Sequence, residues 1–300
     1  MDPHPIDDHP TMLSEAVVKA AVLGAGGQVG RALSALLPDA TAFSGSDVDI
    51  SDGQAVSAVD WFRFDTIVNA AAFTAVDAAE SPDGRVAAWR ANAAGVAHLA
   101  RAANDHGLAL VHISSEYVFD GRSSGPITED APLSPLSAYG ASKAAGDVTA
   151  GLVARHYIIR TTWVTGEGKN FVRTMQGLAA KGISPSVVCD QIGRLTFVDD
   201  LAAAAVHLLT TRAPFGTYNL TNTGEPGSWA DVARAVFELS GHSAASITDT
   251  TTAEYFADKP NAVARPLNSV LDLGKAHAVG IQPAHWRDKL ADYIAKEISD

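Results

Sequence analysis

Short apolar runs alternate with stretches of helical spacing through the first half of the chain. Ala20–Leu23, Thr41–Phe43 and Thr66–Asn69 read as strands, each a brief run of apolar or β-favouring side chains with turn-forming or polar residues at its end. Residues 28–37, 87–106 and 137–155 instead repeat apolar positions every three or four residues and read as helices, with further strands at 108–113 and 157–160. Strands separated by helices predict an α/β fold, a doubly wound parallel sheet whose ligands lie at the carboxyl ends of its strands. Beyond Trp163 the rhythm loosens. Helices at 171–181, 198–211 and Trp229–Leu239, with short strands at Ser186–Val188 and 217–220, suggest a smaller C-terminal α/β substrate-binding region. The expected division is a flexible tail at 1–16, a dinucleotide-binding unit at 17–165 whose core also receives later segments, and a mainly substrate-binding region at 166–300. The Gly-, Ser- and Pro-rich stretch 121–135 reads as an ordered excursion from the core.

Composition narrows the partners. With 300 residues, 47% hydrophobic and 19% charged, the chain can bury a large core as one compound domain or two closely packed ones. A formal net charge of -12 argues against nucleic acid or an anionic membrane as a partner, since both reward clustered Lys and Arg. The first residues are acidic and proline-bearing, the wrong chemistry for a secretion signal, and no apolar run approaches the roughly 18 residues of a membrane helix. Cys189 is the only cysteine, so no internal disulfide forms and a cytoplasmic setting is expected. The ten histidines are scattered, and no metal site is expected.

The first strand runs into Gly24-Ala25-Gly26-Gly27-Gln28-Val29-Gly30 and then into a helix. Glycines between a strand and a helix fit a Rossmann-type dinucleotide turn. Gly24 supplies the sharp bend, Gly27 lets backbone N–H groups approach a pyrophosphate, and Gly30 lets helix and strand pack closely. The spacing is Gly-x-x-Gly-x-x-Gly, because Val29 stands where the commoner pattern has glycine. The acid that would bond the adenosine ribose is expected at the end of the second strand, where Ser44 stands. Without it NADPH is not repelled, and Arg31 could meet the extra phosphate. NADPH is therefore the expected cofactor, with NADH the alternative.

Tyr139 and Lys143 are four residues apart in Tyr139-Gly140-Ala141-Ser142-Lys143, so on a helix they share one face about 5.4 Å apart. A tyrosine that donates a proton near neutral pH is helped by an adjacent ammonium, which lowers the cost of the phenolate left behind. Upstream, the strand ending near Ile113 is followed by Ser114-Ser115-Glu116-Tyr117, which places hydroxyls at a carboxyl strand end. Ser115 is read as a hydrogen-bond donor to a substrate carbonyl and Ser114 as structural. His112, on an apolar strand, reads as a core residue.

The glycine turn, Asn69-Ala70-Ala71-Ala72 after the next strand, Ser115 and the Tyr139/Lys143 pair occur in the order found in the extended short-chain dehydrogenase/reductases, which the chain resembles. More narrowly it resembles the dTDP-4-dehydrorhamnose reductases, through Gly27-Gln28-Val29-Gly30, residues 68–77, 114–121 and 160–164, Asp190-Gln191, and Arg265-Pro266-Leu267-Asn268-Ser269. The resemblance implies cofactor contacts at Gly27, Gln28 and Val29, at Asp49 and Ile50, at Ala71, Ala72 and Phe73, and at Ile113, Tyr139 and Lys143. It places the catalytic hydroxyl at Ser115 and substrate contacts at Glu116 and Trp163. Arg265 could pair with a diphosphate or make a structural ion pair, and Asp190-Gln191 could shape the pocket or cap a strand. Ser115 and Glu116 depart from the Thr and Asp of the family, so a stiffening methyl is lost and a carboxylate reaches one methylene further. The implied partner is a nucleotide sugar, with a homodimer as one option for assembly. Rival readings are a nucleotide-sugar epimerase or dehydratase, and a non-catalytic NADP-binding regulatory subunit of the methionine adenosyltransferase type. The first usually carries an adjacent Asp-Glu pair after the strand, whereas here Glu116 is followed by Tyr117.

Overall fold

Five strands of the computed structural model follow the sequence pattern closely: β1 (Ala20–Leu23), β2 (Thr41–Phe43), β3 (Thr66–Asn69), β4 (Ala109–Ser115) and β5 (His156–Thr161). The structure describes residues 18–258 and 262–299; the tail read at 1–16 lies outside the described residues. A sixth strand, Gly216–Asn219, pairs with β5, and the sheet runs sixth strand, β5, β4, β3, β1, β2, all parallel. After β1 the chain steps to one side for β2 and then crosses back to lay β3 on the other flank. That reversal opens a crevice at the carboxyl ends of β1 and β3.

The strands are largely apolar because both faces of the sheet are covered, with polar residues such as Asn69, His112 and Arg160 set among them. On one face Val22, Val68, Val111 and Ile159 pack with Leu33 of helix α1 (Gln28–Leu36) and with Leu201, Ala205 and Leu208 of helix Val198–Thr210. On the other, Leu23, Ile67, Leu110 and Ile158 pack with Val96, Leu99 and Ala103. A third core, built around Val172, Phe197, Val236, Trp286 and Leu290, lies under helices Phe171–Ala180, Trp229–Leu239 and Trp286–Ser299.

Three boundaries differ from the sequence reading. The helix placed at 87–106 begins earlier and is interrupted. Besides the short α2 (Gly53–Ser57), the chain forms α3 (Pro82–Trp89), a π turn (Arg90–Gly95) and α4 (Val96–His106). Ser81 caps α3 by accepting from the Gly84 amide, with Pro82 at the first helical position, where its missing N–H costs nothing. The strand placed at 108–113 extends through Ser115, and the helix placed at 137–155 is α5 (Ala138–Ala150), capped by Ser137. The excursion at 121–135 is ordered by a bridge from Ile127 to Leu271 and by Asn268, which donates to the Ser123 and Gly125 carbonyls.

Candidate active site

The glycine turn forms as its residues require. Gly24 has φ +77°, and a Cβ there would lie 2.5 Å from the Ala71 amide nitrogen. A Cβ on Gly30 would stand 2.2 Å from the Gly24 carbonyl, so any larger residue would push α1 off the sheet. Helix α1 starts at Gly27 with no side-chain cap and no acid in its first turn, which leaves its first N–H groups and positive end for an anion. Gln28 and Val29 open that turn. Beyond it lies a cleft of about 480 Å³ lined by Asp49, Ile50, Ala71, Ala72, Phe73 and Arg90. Five of the implied cofactor contacts, Asp49, Ile50, Ala71, Ala72 and Phe73, thus share one cleft beside a bare helix end, an arrangement that fits a dinucleotide.

Two expectations around this cleft change. Arg31 turns back, donating to the Gly26 carbonyl at 2.6 Å and pairing with Glu167 at 3.4 Å. The end of β2 does carry an acid, because Asp47 folds back and accepts from the Ser44 amide at 2.8 Å and the Ser44 hydroxyl at 2.6 Å. The acid lies three residues beyond Ser44, the position where the sequence pattern places it.

Tyr139 and Lys143 sit side by side on α5, both buried. The Lys143 ammonium donates to the Ile113 carbonyl at 2.7 Å, which fixes Ile113 at the wall between β4 and α5. Burial pushes Lys143 down to about 8, with Asp147 opposing that shift. Burial and the Glu116 charge hold the Tyr139 phenol above its ordinary range, the opposite of the lowering expected from Lys143; a hydrogen bond with Ser115 works against that rise.

Ser115 is the last residue of β4. Its hydroxyl donates to Glu116 Oε2 at 2.7 Å and accepts from the Tyr117 amide at 3.2 Å. Glu116 is 3% exposed, and its other oxygen accepts from Thr162 Oγ1 at 2.8 Å. Burial outweighs these hydrogen bonds and pushes Glu116 up to about 7. Glu116, Tyr117, Trp163, Gln191, Trp229 and Arg265 line a cavity of about 180 Å³. Trp163, at φ +48°, stacks on Trp229 with ring centres 3.8 Å apart. Arg265 reaches the cavity wall while paired with Asp77 at 2.7 Å, so it is both an ion-pair partner and a lining residue. Asp190 accepts from the Thr252 amide and hydroxyl and is structural, whereas Gln191 faces the cavity.

Sequence reading missed several groups. Asn92, on the π turn, accepts from the Phe73 amide at 2.9 Å and donates to the Phe73 carbonyl and to Ser142. Thr162 and Trp229 reach the site from separate elements. Behind Lys143 lies a buried polar chain in which Asn69 meets His112 at 3.1 Å and Arg160 donates to Asp147 at 2.9 Å. Burial and Lys143 hold His112 well below its ordinary range, so it is neutral. Among the described residues no group of three or more His, Cys, Asp or Glu could hold a metal, and no helix is long and apolar enough to cross a membrane.

A family model described as the RmlD substrate binding domain matches residues 18–298. The "dTDP-4-dehydrorhamnose reductase" of Aggregatibacter actinomycetemcomitans is 39% identical over 295 residues, covering 93% of this chain and 99% of that protein. The chain belongs to the dTDP-4-dehydrorhamnose reductase family. Among solved structures, the family member from Clostridium acetobutylicum aligns with TM-score 0.85 and 33% identity, over 93% of this chain and 99% of that one. The Bacillus anthracis reductase, solved in complex with NADP, aligns with TM-score 0.84 and 31% identity over the same shares.

Proposed function

We propose that this chain reduces the C4 ketone of dTDP-4-dehydrorhamnose to give dTDP-L-rhamnose, with Tyr139 donating the proton. The observation that carries the reading is the meeting of Tyr139, Lys143 and Ser115 at the carboxyl end of β4, beside the crevice between β1 and β3. NADPH, with NADH as the alternative, supplies the hydride when bound. The bare start of α1 would hold the diphosphate, Asp49 and Ile50 would lie near the adenine, and Ala71, Ala72 and Phe73 would line the rest of the nucleotide. Lys143, anchored on Ile113, presents a buried positive charge beside the phenol. Ser115 and Tyr139 bind the ketone oxygen, Glu116 and Trp163 contact the sugar, and Arg265 faces the diphosphate of the sugar nucleotide. The protein works in the cytoplasm on this small-molecule partner, without nucleic acid or membrane, with a homodimer as one option for its assembly. The missing Asp-Glu pair after β4 sets the site apart from a dehydratase.

The test is nicotinamide absorbance decay with dTDP-4-dehydrorhamnose. Wild type consumes NADPH. Tyr139→Phe lowers kcat by roughly 10²- to 10⁴-fold with little change in KM, the span attributed to a positioned general acid. Near-normal turnover in that variant would remove Tyr139 from its role, and no decay in wild type with either cofactor would remove the reductase reading itself.

A further inference from the structure

The Ser115 hydroxyl has one hydrogen, and that hydrogen is already committed. It points to Glu116 Oε2 at 2.7 Å, while the oxygen takes the Tyr117 amide at 3.2 Å and meets the Tyr139 phenol. Thr162 spends its own hydrogen on Glu116 Oε1 at 2.8 Å. An ionised Glu116 therefore draws both hydroxyl protons toward itself and leaves neither for the phenolate that Tyr139 becomes once it has given up its proton. A protonated Glu116 reverses the direction of the chain, donating to Ser115 and freeing the Ser115 hydrogen, which serves the ketone oxygen while Tyr139 holds its proton and turns to the Tyr139 oxygen once that proton has gone.

We propose that Glu116 recharges Tyr139 through the Ser115 hydroxyl, one proton per turnover. This rests on the reductase reading and adds the route by which the acid is restored. The Tyr139 O–H breaks as its proton passes to the substrate oxygen. The Ser115 O–H breaks as its proton passes to the Tyr139 oxygen, and the Glu116 carboxyl O–H breaks as its proton passes to Ser115. Glu116 is left as a carboxylate and regains a proton from water entering the cavity between Tyr117, Trp163, Gln191 and Arg265. No electrons move along this path. Glu116 acts through Ser115 and positions its proton.

The surroundings suit the role. The groups facing the carboxyl are the Ser115 and Thr162 hydroxyls, the Tyr139 phenol from α5 and the neighbouring Tyr117. Across the cavity stands Arg265, whose charge is already paired with Asp77 at 2.7 Å. Burial at 3% exposure, with a value of about 7, lets the carboxyl both hold and release a proton near neutrality. The two oxygens of the Glu116 carboxyl span from Ser115 to Thr162.

The experiment is the pH profile of kcat from pH 5 to 9, with saturating NADPH and dTDP-4-dehydrorhamnose, for wild type, Glu116→Gln, Glu116→Asp and Thr162→Val. Wild-type kcat should fall about tenfold per pH unit above a midpoint near 7. Glu116→Gln should be roughly tenfold or more slower at pH 6 and flat through pH 7. Glu116→Asp, which keeps an acid, should keep a falling limb. Thr162→Val removes one donor to the carboxylate and should move the wild-type limb to higher pH, an independent reading should Glu116→Gln not fold. A limb near 7 that persists in Glu116→Gln, or that stays in place in Thr162→Val, overturns the relay and leaves the reductase standing. Absence of turnover in wild type at every pH overturns both.

Discussion

Asp47 carries the charge that Ser44 lacks. The Ser44 hydroxyl and amide hold its carboxyl below the usual range, so it stands ionised at the end of β2, on the loop that also brings Gly45 and Val48 to the adenosine cleft. A negative charge facing the adenosine ribose would oppose the extra phosphate of NADPH and tolerate NADH. Asp47→Asn should therefore raise the ratio of kcat/KM for NADPH over NADH by roughly three- to fivefold, the scale of one exposed charge interaction. The ratio should shift less at high salt, and an unchanged ratio at low salt would show that Asp47 does not face the ribose. The same residue shows why single positions were only partly legible. Tyr139 and Lys143 could be found from spacing on one helix, whereas Asp47 acts at Ser44 only because a tight turn brings it back.

The π turn Arg90–Gly95 is the element that the periodicity of 87–106 could not reveal. Its Asn92 is tied to Phe73, 19 residues upstream, and to Ser142, 50 residues downstream, and neither partner leaves a mark on the local apolar spacing. By contrast β1, β3 and α1 were legible, because both-face burial writes a continuous apolar run and an amphipathic face writes a 3.6-residue repeat. Beyond β5 the strands at Ser186–Val188 and Gly216–Asn219 were legible to within a residue, whereas the two-residue strands Val164–Thr165, Ile192–Gly193, Thr196–Phe197 and Gly227–Ser228 and helix Trp286–Ser299 were not, since they owe their form to packing around the third core more than to local pattern. Asn92→Ala should leave the part-buried Phe73 amide and carbonyl and the buried Ser142 hydroxyl short of partners. The expected outcome is a loss of about 1–3 kcal/mol in urea unfolding at unchanged slope, with a raised KM for NADPH because Phe73 lines the cleft. An unaltered urea midpoint would mean that the π turn is held by other contacts.

Across the whole molecule, proton binding should couple folding to pH through Glu116. In the folded protein it titrates near 7 instead of 4.5, so the folded state keeps a proton that the unfolded chain releases. The stability tied to that proton is fully present below 4.5 and is lost as pH rises through 7. Lys143, lowered to about 8, is charged in both states below that value and adds no slope between pH 5 and 7. Wild type should thus lose roughly 3 kcal/mol relative to Glu116→Gln between pH 4.5 and 7.5, measurable as a pH-dependent gap in urea midpoints. A gap of constant size would mean that Glu116 does not titrate in this window. The sixth strand has a different consequence. Because Gly216–Asn219 and helix Val198–Thr210 return to the sheet after the chain has already visited the third core, no single crossover point separates the segments of the sheet from those of the third core. Chimeras that exchange sugar preference between family members must carry at least two inserts, one on each side of that returning strand, and a one-junction swap at residue 165 would inherit a mismatched sheet edge.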